Sequence, residues 1–124
     1  MKNKHIVFCY GSLKKGYHNH SILHSAEFIG ESRTTERYDM FSFGSFPAVN
    51  KYPQQYHVTG ELYLVDDSTL AQLDILEGNG YFYQRVPTNI DGYEEKAWVY
   101  FHIGADDEDS TEGISITGDV ATWK

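Results

Sequence analysis

The chain has 124 residues, of which 40% are hydrophobic and 15% aromatic, which indicates a single globular domain (1–124) rather than a disordered segment. Its formal net charge of −8 argues against nucleic acid as a partner, because a phosphate backbone would be repelled. A single cysteine, Cys9, excludes an internal disulfide and fits a reducing compartment. No signal-peptide pattern and no apolar run of roughly 20 residues is found, so we expect a cytoplasmic protein with no membrane partner.

The first predicted element is a strand, HIVFCY (5–10), which leads into a glycine loop. Its unbroken apolar run is typical of a strand buried on both faces. Gly11 and Gly16 have the spacing of a phosphate-binding loop, but Tyr-His follows where such a loop needs Lys and Ser or Thr. We therefore expect no nucleotide here. The backbone N–H groups of YGSL (10–13) could bind a small carboxylate, or the glycine could only form a tight turn.

A short helix or turn and three strands are predicted for the middle of the chain. HSILHSAEF (20–28) is the short helix or turn, and EFIGESRTTERYDMFSF (27–43) has the β-branched and aromatic content of two strands. FGSFPAVNKYPQQ (43–55) carries one glycine and two prolines and predicts a loop. The third strand, HVTGELYLV (57–65), alternates with period two. This pattern places four residues on one face: Val58, Gly60, Leu62 and Leu64.

The clearest helix is DDSTLAQLDILEG (66–78), with an acidic or serine cap at its start and Gly78 as its stop. YFYQRVPTNI (81–90) and EKAWVYFHI (95–103) flank a DGYE turn and predict a β-hairpin. The acidic segment ADDEDSTE (105–112) is expected to be a solvated loop. With about six strands, one fair helix and one or two short ones, the sequence predicts an α+β fold, a small mixed β-barrel or curled sheet flanked by helices.

Glu77 is the most informative residue. Leu70, Leu73 and Leu76 define an apolar face of the helix at about 100° per residue. Glu77 falls within that face, and both burial and the helix carbonyls disfavour its ionised form, so we predict a raised pKa and a role as general acid or base. Alternatively, the side chain extends past the frayed helix end into solvent. Asp74 borders the same face but is expected to reach solvent more easily.

Three further sites are weaker candidates. His18, His20 and His24 could be zinc ligands, but no carboxylate or cysteine completes the set, so a polar surface is preferred. Cys9 has no neighbouring charge that would lower its pKa, which favours a buried structural thiol over a nucleophile. Ser12 follows a lone glycine rather than the G-x-S-x-G of a serine hydrolase.

Taken together, the motifs resemble the γ-glutamylcyclotransferase-like superfamily, and most of all its γ-glutamylamine cyclotransferase (AIG2-like) branch. The matching stretches are YGSLKKGYHN (10–19), GELYLVD (60–66), LDILEG (73–78) with YQR (83–85), and ITGDVATW (116–123). They are spread over the whole chain, and their order and spacing make the match specific.

The resemblance implies a compact β-barrel flanked by helices, with one pocket at its mouth. It implies an intramolecular reaction in which the α-amine of a γ-glutamyl group attacks its own γ-carbonyl and releases 5-oxoproline and a free amine. By the family pattern Glu77 is the acid/base, and Tyr83 is a pocket tyrosine. The substrate carboxylate would be held largely by backbone N–H groups of the substrate-binding residues Tyr10, Gly11, Ser12 and Leu13. Ring closure needs no cofactor, only positioning and one proton carrier.

Two main classes of function stay open, beside a third and less favoured one, a metal-dependent hydrolase that would use His18, His20 and His24. The first is a lyase-type cyclotransferase acting on γ-glutamyl amines or related small-molecule γ-glutamyl compounds, with a lysine ε-amine or an amino acid as possible leaving group. The second is a non-catalytic module on the same scaffold that binds a small carboxylate or a partner. The presence of both Glu77 and YGSL favours the enzyme, because a buried carboxylate costs stability when it is unused. A monomer and a homodimer are equally consistent with the sequence.

Overall fold

A computed structural model describes residues 4–11, 14, 20–104 and 110–123. The strands are β1 (Lys4–Cys9), β2 (Glu27–Arg33), β3 (Asp39–Ser42), β4 (Pro47–Asn50), β5 (His57–Asp66), β6 (Tyr83–Thr88), β7 (Ala97–His102), β8 (Ile114–Thr117) and β9 (Val120–Trp123). A 3₁₀ turn spans His20–Leu23, and the α-helix α1 spans Asp67–Glu77. Within these described ranges, no helix is long and apolar enough to span a bilayer.

Seven strands form one mixed sheet in the order β6-β7-β1-β5-β9-β8, with β2 also paired to β5. β1 runs antiparallel to β5 along its whole length, while β1–β7 and β5–β9 are parallel pairs. The strands β3 and β4 form a separate two-stranded hairpin. The sheet curls into a half-barrel accompanied by α1, which confirms the predicted α+β class and mixed barrel.

The second half of β1, from Val7 to Cys9, is buried on both faces, as its apolar run predicts, whereas Lys4 is exposed and the next two residues are half-buried. Val7 and Cys9 belong to one apolar cluster, together with the buried leucines of α1. Phe8 and Tyr10, which point the other way, belong to a second cluster. The first strand therefore lies between two layers of core, and its end is held firmly where the glycine loop begins.

The helix α1 begins and ends where the sequence predicts. The carboxylate of Asp66 accepts a hydrogen bond from the backbone N–H of Thr69 at 2.8 Å, which makes Asp66 the N-cap. Gly78 adopts the left-handed conformation (φ 60°), and its N–H caps the last turn. Glu77 is thus the last helical residue.

The loop predicted over residues 43–55 is wrong in part, because it contains β4. Pro47 opens that strand, where a missing N–H is tolerated, and the next two residues are fully buried. The hairpin of β8 and β9 was also not among the predicted strands, since each strand has only four residues. Glycine and proline mark the turns but say little about the short strands between them.

The alternation predicted for β5 holds only in its first half. Val58, Gly60 and Leu62 are buried, but Leu64 is only half-buried. Tyr63 and Val65, on the opposite face, are buried in the cluster that contains the leucines of α1. The alternation of buried and exposed residues is lost in the second half of β5 because α1 covers the second face of the strand there.

Candidate functional site

A cavity of about 540 Å³ opens where the end of β1, the last turn of α1, the start of β6 and the β3–β4 turn meet. Its lining residues are Phe8, Cys9, Tyr10, Gly11, Ser45, Phe46, Pro47, Ile75, Leu76, Glu77, Gly78, Phe82, Tyr83 and Tyr100. Residues far apart in sequence, from the first strand to the seventh, thus share one cavity.

Glu77 lines this cavity from the end of α1. Burial raises the pKa of its carboxyl from an ordinary 4.5 to about 7, which confirms the predicted direction. No cation or hydrogen-bond donor among the described residues offsets the effect of burial. The carboxyl group is therefore present in both protonation states near neutral pH, as a proton carrier requires.

The apolar face predicted for α1 is shorter than expected. Leu70 and Leu73 are buried, but Leu76 is 41% exposed and its neighbour Ile75 is 82% exposed. Both of these residues line the cavity instead of the core. The prediction that Leu76 belongs to the core face is wrong, because the last turn of the helix borders an open cavity rather than a covering strand.

The glycine loop meets Glu77 at this cavity, since Tyr10 and Gly11 are also lining residues. A Cβ atom on Gly11 would lie 2.9 Å from Cγ of Pro47, so only glycine fits without movement. The N–H of Lys14 donates a hydrogen bond to the carbonyl of Gly11 at 3.0 Å. The other two predicted binding residues, Ser12 and Leu13, lie outside the described part of the chain.

Three tyrosines form much of the polar wall. The hydroxyl of Tyr10 donates to the carbonyl of Tyr100 at 2.6 Å, and that of Tyr83 donates to the carbonyl of Pro47 at 2.9 Å. Burial is the main cause that raises the pKa of all three phenols far above their usual range, and the nearby Glu77 carboxyl raises it further. Tyr10 and Tyr83 thus stay neutral near pH 7, and their hydroxyl protons are directed at backbone carbonyls.

Cys9 is a buried free thiol, as predicted. Burial raises its pKa strongly, and Glu77 and Glu61 raise it further. Although Cys9 lines the cavity, it is held as an unreactive thiol.

The side chain of Asp74 is 25% exposed, so it still reaches solvent, but it is also held by hydrogen bonds that the sequence did not suggest. Its Oδ1 accepts hydrogen bonds from Nε of Arg85 at 2.8 Å and from the hydroxyl of Tyr100 at 2.7 Å. The Arg85 guanidinium lies 4.3 Å from the ring centre of Trp98. This network ties the turn of α1 that precedes Glu77 to β6 and β7. The only sequence feature that could have indicated this contact is the short separation between LDILEG (73–78), which contains Asp74, and YQR (83–85), which contains Arg85.

The histidine cluster is not assembled into a site in the described residues. His18 lies outside them, and neither His20 nor His24 lines the cavity. His24 is exposed, and its Nδ1 lies 3.0 Å from the carbonyl of Ser21. No group of three or more His, Cys, Asp or Glu side chains suited to a metal occurs in the ranges that the structure describes.

Sequence reasoning missed the aromatic part of the wall. Phe46 comes from the β3–β4 turn and Phe82 from the segment between α1 and β6, with ring centres 6.1 Å apart. Phe43 packs against both rings, at 5.1 Å and 5.6 Å. The aromatic-rich stretches FSFGSF and YFY were the only hint, because the two segments meet only in the fold.

Comparisons with known proteins agree on one family. The model of the family described as "Gamma-glutamyl cyclotransferase, AIG2-like" matches residues 7–119. A protein of Methanocaldococcus jannaschii named "Putative gamma-glutamylcyclotransferase" is 41% identical over 100 residues, which cover 77% of this chain and 82% of that protein. A gamma-glutamylcyclotransferase family protein of Escherichia coli K12 is 32% identical, covering 77% of this chain and 80% of that one. The crystal structure of an AIG2-like protein from Mus musculus matches with a TM-score of 0.75 at 29% identity, covering 85% of this chain and 81% of that chain.

Proposed function

The chain belongs to the gamma-glutamyl cyclotransferase, AIG2-like family, and on that premise we propose that it releases 5-oxoproline and a free amine from γ-glutamyl amines or related γ-glutamyl compounds. One observation carries the proposal: Glu77, with a pKa of about 7, lines the same cavity as Tyr10 and Gly11. This shared cavity supports the proposal that Glu77 carries the proton while the neighbouring backbone holds the substrate carboxylate.

In the proposed reaction the ionised Glu77 accepts a proton from the α-ammonium of the substrate. The resulting amine attacks the γ-carbonyl carbon, so a ring C–N bond forms while the C–N bond to the leaving amine breaks. Glu77 passes the first proton to the leaving nitrogen. It then accepts the second proton, which the ring nitrogen loses, and transfers it to the released amine, which departs as an ammonium ion and leaves Glu77 ionised again. A carrier of this kind typically contributes 10²–10⁴-fold to the rate.

Positioning supplies the rest of the proposed rate enhancement. We assign the substrate carboxylate to the backbone at Tyr10 and Gly11, continued by Ser12 and Leu13, and the ring of Tyr83 to the wall beside it. Holding the amine against the carbonyl can contribute on the order of 7–11 kcal/mol. The nucleophile belongs to the substrate, which is consistent with a site whose only thiol, Cys9, is held unreactive.

The test is 5-oxoproline release from γ-glutamyl-ε-lysine, several γ-glutamyl amino acids and glutathione. We expect release by the wild type, a loss of at least about a hundredfold in Glu77→Gln, and no loss in Glu95→Gln, which alters an exposed glutamate. Equal rates in wild type and Glu77→Gln would contradict the assigned acid/base.

No release from any substrate by folded protein would contradict the enzyme itself. A thermal-shift titration with 5-oxoproline then tests whether the protein is instead a non-catalytic binding module. Stabilisation of both wild type and Glu77→Gln without turnover would indicate a carboxylate-binding module on this scaffold.

A further inference from the structure

We propose that the mouth of the cavity selects γ-glutamyl substrates whose leaving amine is apolar and carries no second charge, and this inference rests on the proposed function. Arylalkyl and alkyl amines are the class that fits. The selecting residues are Phe46, Ile75, Leu76 and Phe82.

The first support is the location of exposed apolar surface. In the described ranges, four of the eight large apolar side chains that are exposed lie between residues 75 and 82, on either side of Glu77 in sequence. Three of the four line the cavity: Ile75, Leu76 and Phe82, the last of which is 39% exposed. A concentration of exposed apolar side chains at a cavity marks a surface that a ligand covers.

The second support is that the aromatic wall is fixed by packing. Phe82 stacks edge-on against Tyr83 at 4.8 Å and against His102 at 5.0 Å, and it also contacts Phe43. Its ring therefore presents a fixed apolar surface to the cavity, with little side-chain entropy left to lose on binding.

The third support is charge. Among the described lining residues, Glu77 is the only side chain with a formal charge, and it is committed to proton transfer. The ammonium of a diamine, or the ammonium and carboxylate of lysine, would lose water at this mouth without an ion-pair partner among the lining residues that the structure describes. Such a loss is costly, whereas an apolar chain gains from the same contacts.

The chemistry sets where the leaving group lies. Glu77 gives its proton to the leaving nitrogen, so the substituent on that nitrogen starts within hydrogen-bond distance of the Glu77 carboxyl. Leu76 and Ile75 precede Glu77 in the same helical turn, and Phe82 follows it across Gly78. The substituent thus extends along the apolar mouth, while the glutamyl carboxylate stays at Tyr10 and Gly11.

The experiment compares kcat/KM for four γ-glutamyl amides that share their reacting atoms: the methylamide, the phenethylamide, the ε-lysine isopeptide and the putrescine amide. We expect the phenethylamide to exceed each of the other three by at least about tenfold, the lower end of the discrimination that apolar pockets give. The putrescine amide also tests attraction by the acidic segment 105–112.

Variants then test the residues. In Phe82→Ser and, from a different element, Leu76→Ser, the ratio of phenethylamide to methylamide kcat/KM should fall towards one. The matched control is Phe28→Ser, since Phe28 is 53% exposed on β2 and is not a cavity residue, and its ratio should equal that of the wild type.

The outcomes separate the two proposals. Release of 5-oxoproline with the lysine or putrescine substrate as fast as the phenethylamide would overturn the leaving-group inference and leave the cyclotransferase in place. A wild-type preference that neither Phe82→Ser nor Leu76→Ser reduces would overturn the assignment to this mouth. No release from any of the four amides would overturn both.

Discussion

Asp74 and Glu77 lie one turn apart at the end of the same helix, yet among the residues that the structure describes only Asp74 has a cation partner. Asp74 is hydrogen-bonded to Arg85 and Tyr100, whereas Glu77 faces the cavity, where burial raises its pKa to about 7. The ion pair holds the helix in place, and the unpaired carboxylate is left free to exchange a proton. This division of roles leads to the first three predictions.

Glu77→Gln should change the pH dependence of stability. Because the folded pKa (about 7) exceeds the ordinary 4.5, the folded state binds this proton more tightly than the unfolded chain between these values. The free energy of unfolding therefore falls as pH rises from about 4.5 to 7, by an amount on the order of 3 kcal/mol from this group. Urea unfolding should show Glu77→Gln more stable than wild type at pH 8 and similar at pH 4.5. Glu95→Gln is the control and should follow the wild-type pH profile of stability. If the profile of Glu77→Gln were also parallel to that of the wild type, the raised pKa of Glu77 would be contradicted.

The rate should follow the ionisation of Glu77. Only the ionised carboxylate can accept the α-ammonium proton, so kcat/KM for 5-oxoproline release should rise about tenfold per pH unit below about 7 and level off above it. Initial rates from pH 5 to 8.5, with circular dichroism to verify folding at each pH, measure this. A rate that is independent of pH across 6 to 8 would exclude Glu77 as the base.

Arg85→Met should destabilise the protein by about 2 kcal/mol, because the half-buried Asp74 carboxylate loses a charged hydrogen-bond partner. Arg33→Met is the matched control, since the Arg33–Asp91 pair is exposed and should cost less than about 1 kcal/mol. Chemical unfolding of the two variants compares these costs. Equal losses would show that the Asp74 network does not anchor the helix.

Gly11→Ala should impair both stability and substrate binding, since its methyl group would collide with the ring of Pro47. Overpacking of this kind costs typically 1–3 kcal/mol. Pro47→Ala removes the colliding ring atoms. In the Pro47→Ala background, Gly11→Ala should therefore destabilise the protein less than it does in the wild type. Strictly additive losses in a double-mutant cycle, measured by urea unfolding, would mean that the two residues are not in contact.

The elements that carry their own local signals could be predicted from the sequence. The cap of α1 at Asp66, its stop at Gly78 and the β6–β7 hairpin follow from local chemistry, and the burial of Glu77 follows from its position relative to Leu70 and Leu73. The prediction fails where a long-range contact decides the outcome. The hydrogen bonds of Asp74 depend on Arg85 and Tyr100, and the exposure of Leu76 depends on the cavity that borders the last helical turn.

The cavity itself was only partly predictable, for the same reason. The resemblance supplied Tyr10, Gly11, Glu77 and Tyr83, all of which line it. Phe46 and Phe82 could not be inferred because neither belongs to a motif, and their rings meet only after the β3–β4 hairpin folds onto β6 and β7. Polar motifs can be detected in a single sequence, whereas an apolar wall built from several segments cannot.

The hairpin of β3 and β4 forms its own two-stranded sheet, and its turn reaches the cavity through Phe46 and Pro47. Tyr10 and Gly11 follow β1, and Glu77 ends α1, so none of these three residues belongs to the hairpin. Under the proposed function, substitutions of Phe46 would therefore alter which amines are accepted while Glu77 and Gly11 stay in place, whereas Pro47 is coupled to Gly11. The side chain proposed to select the amine and the side chain proposed to carry the proton thus come from separate elements, so one could change without the other.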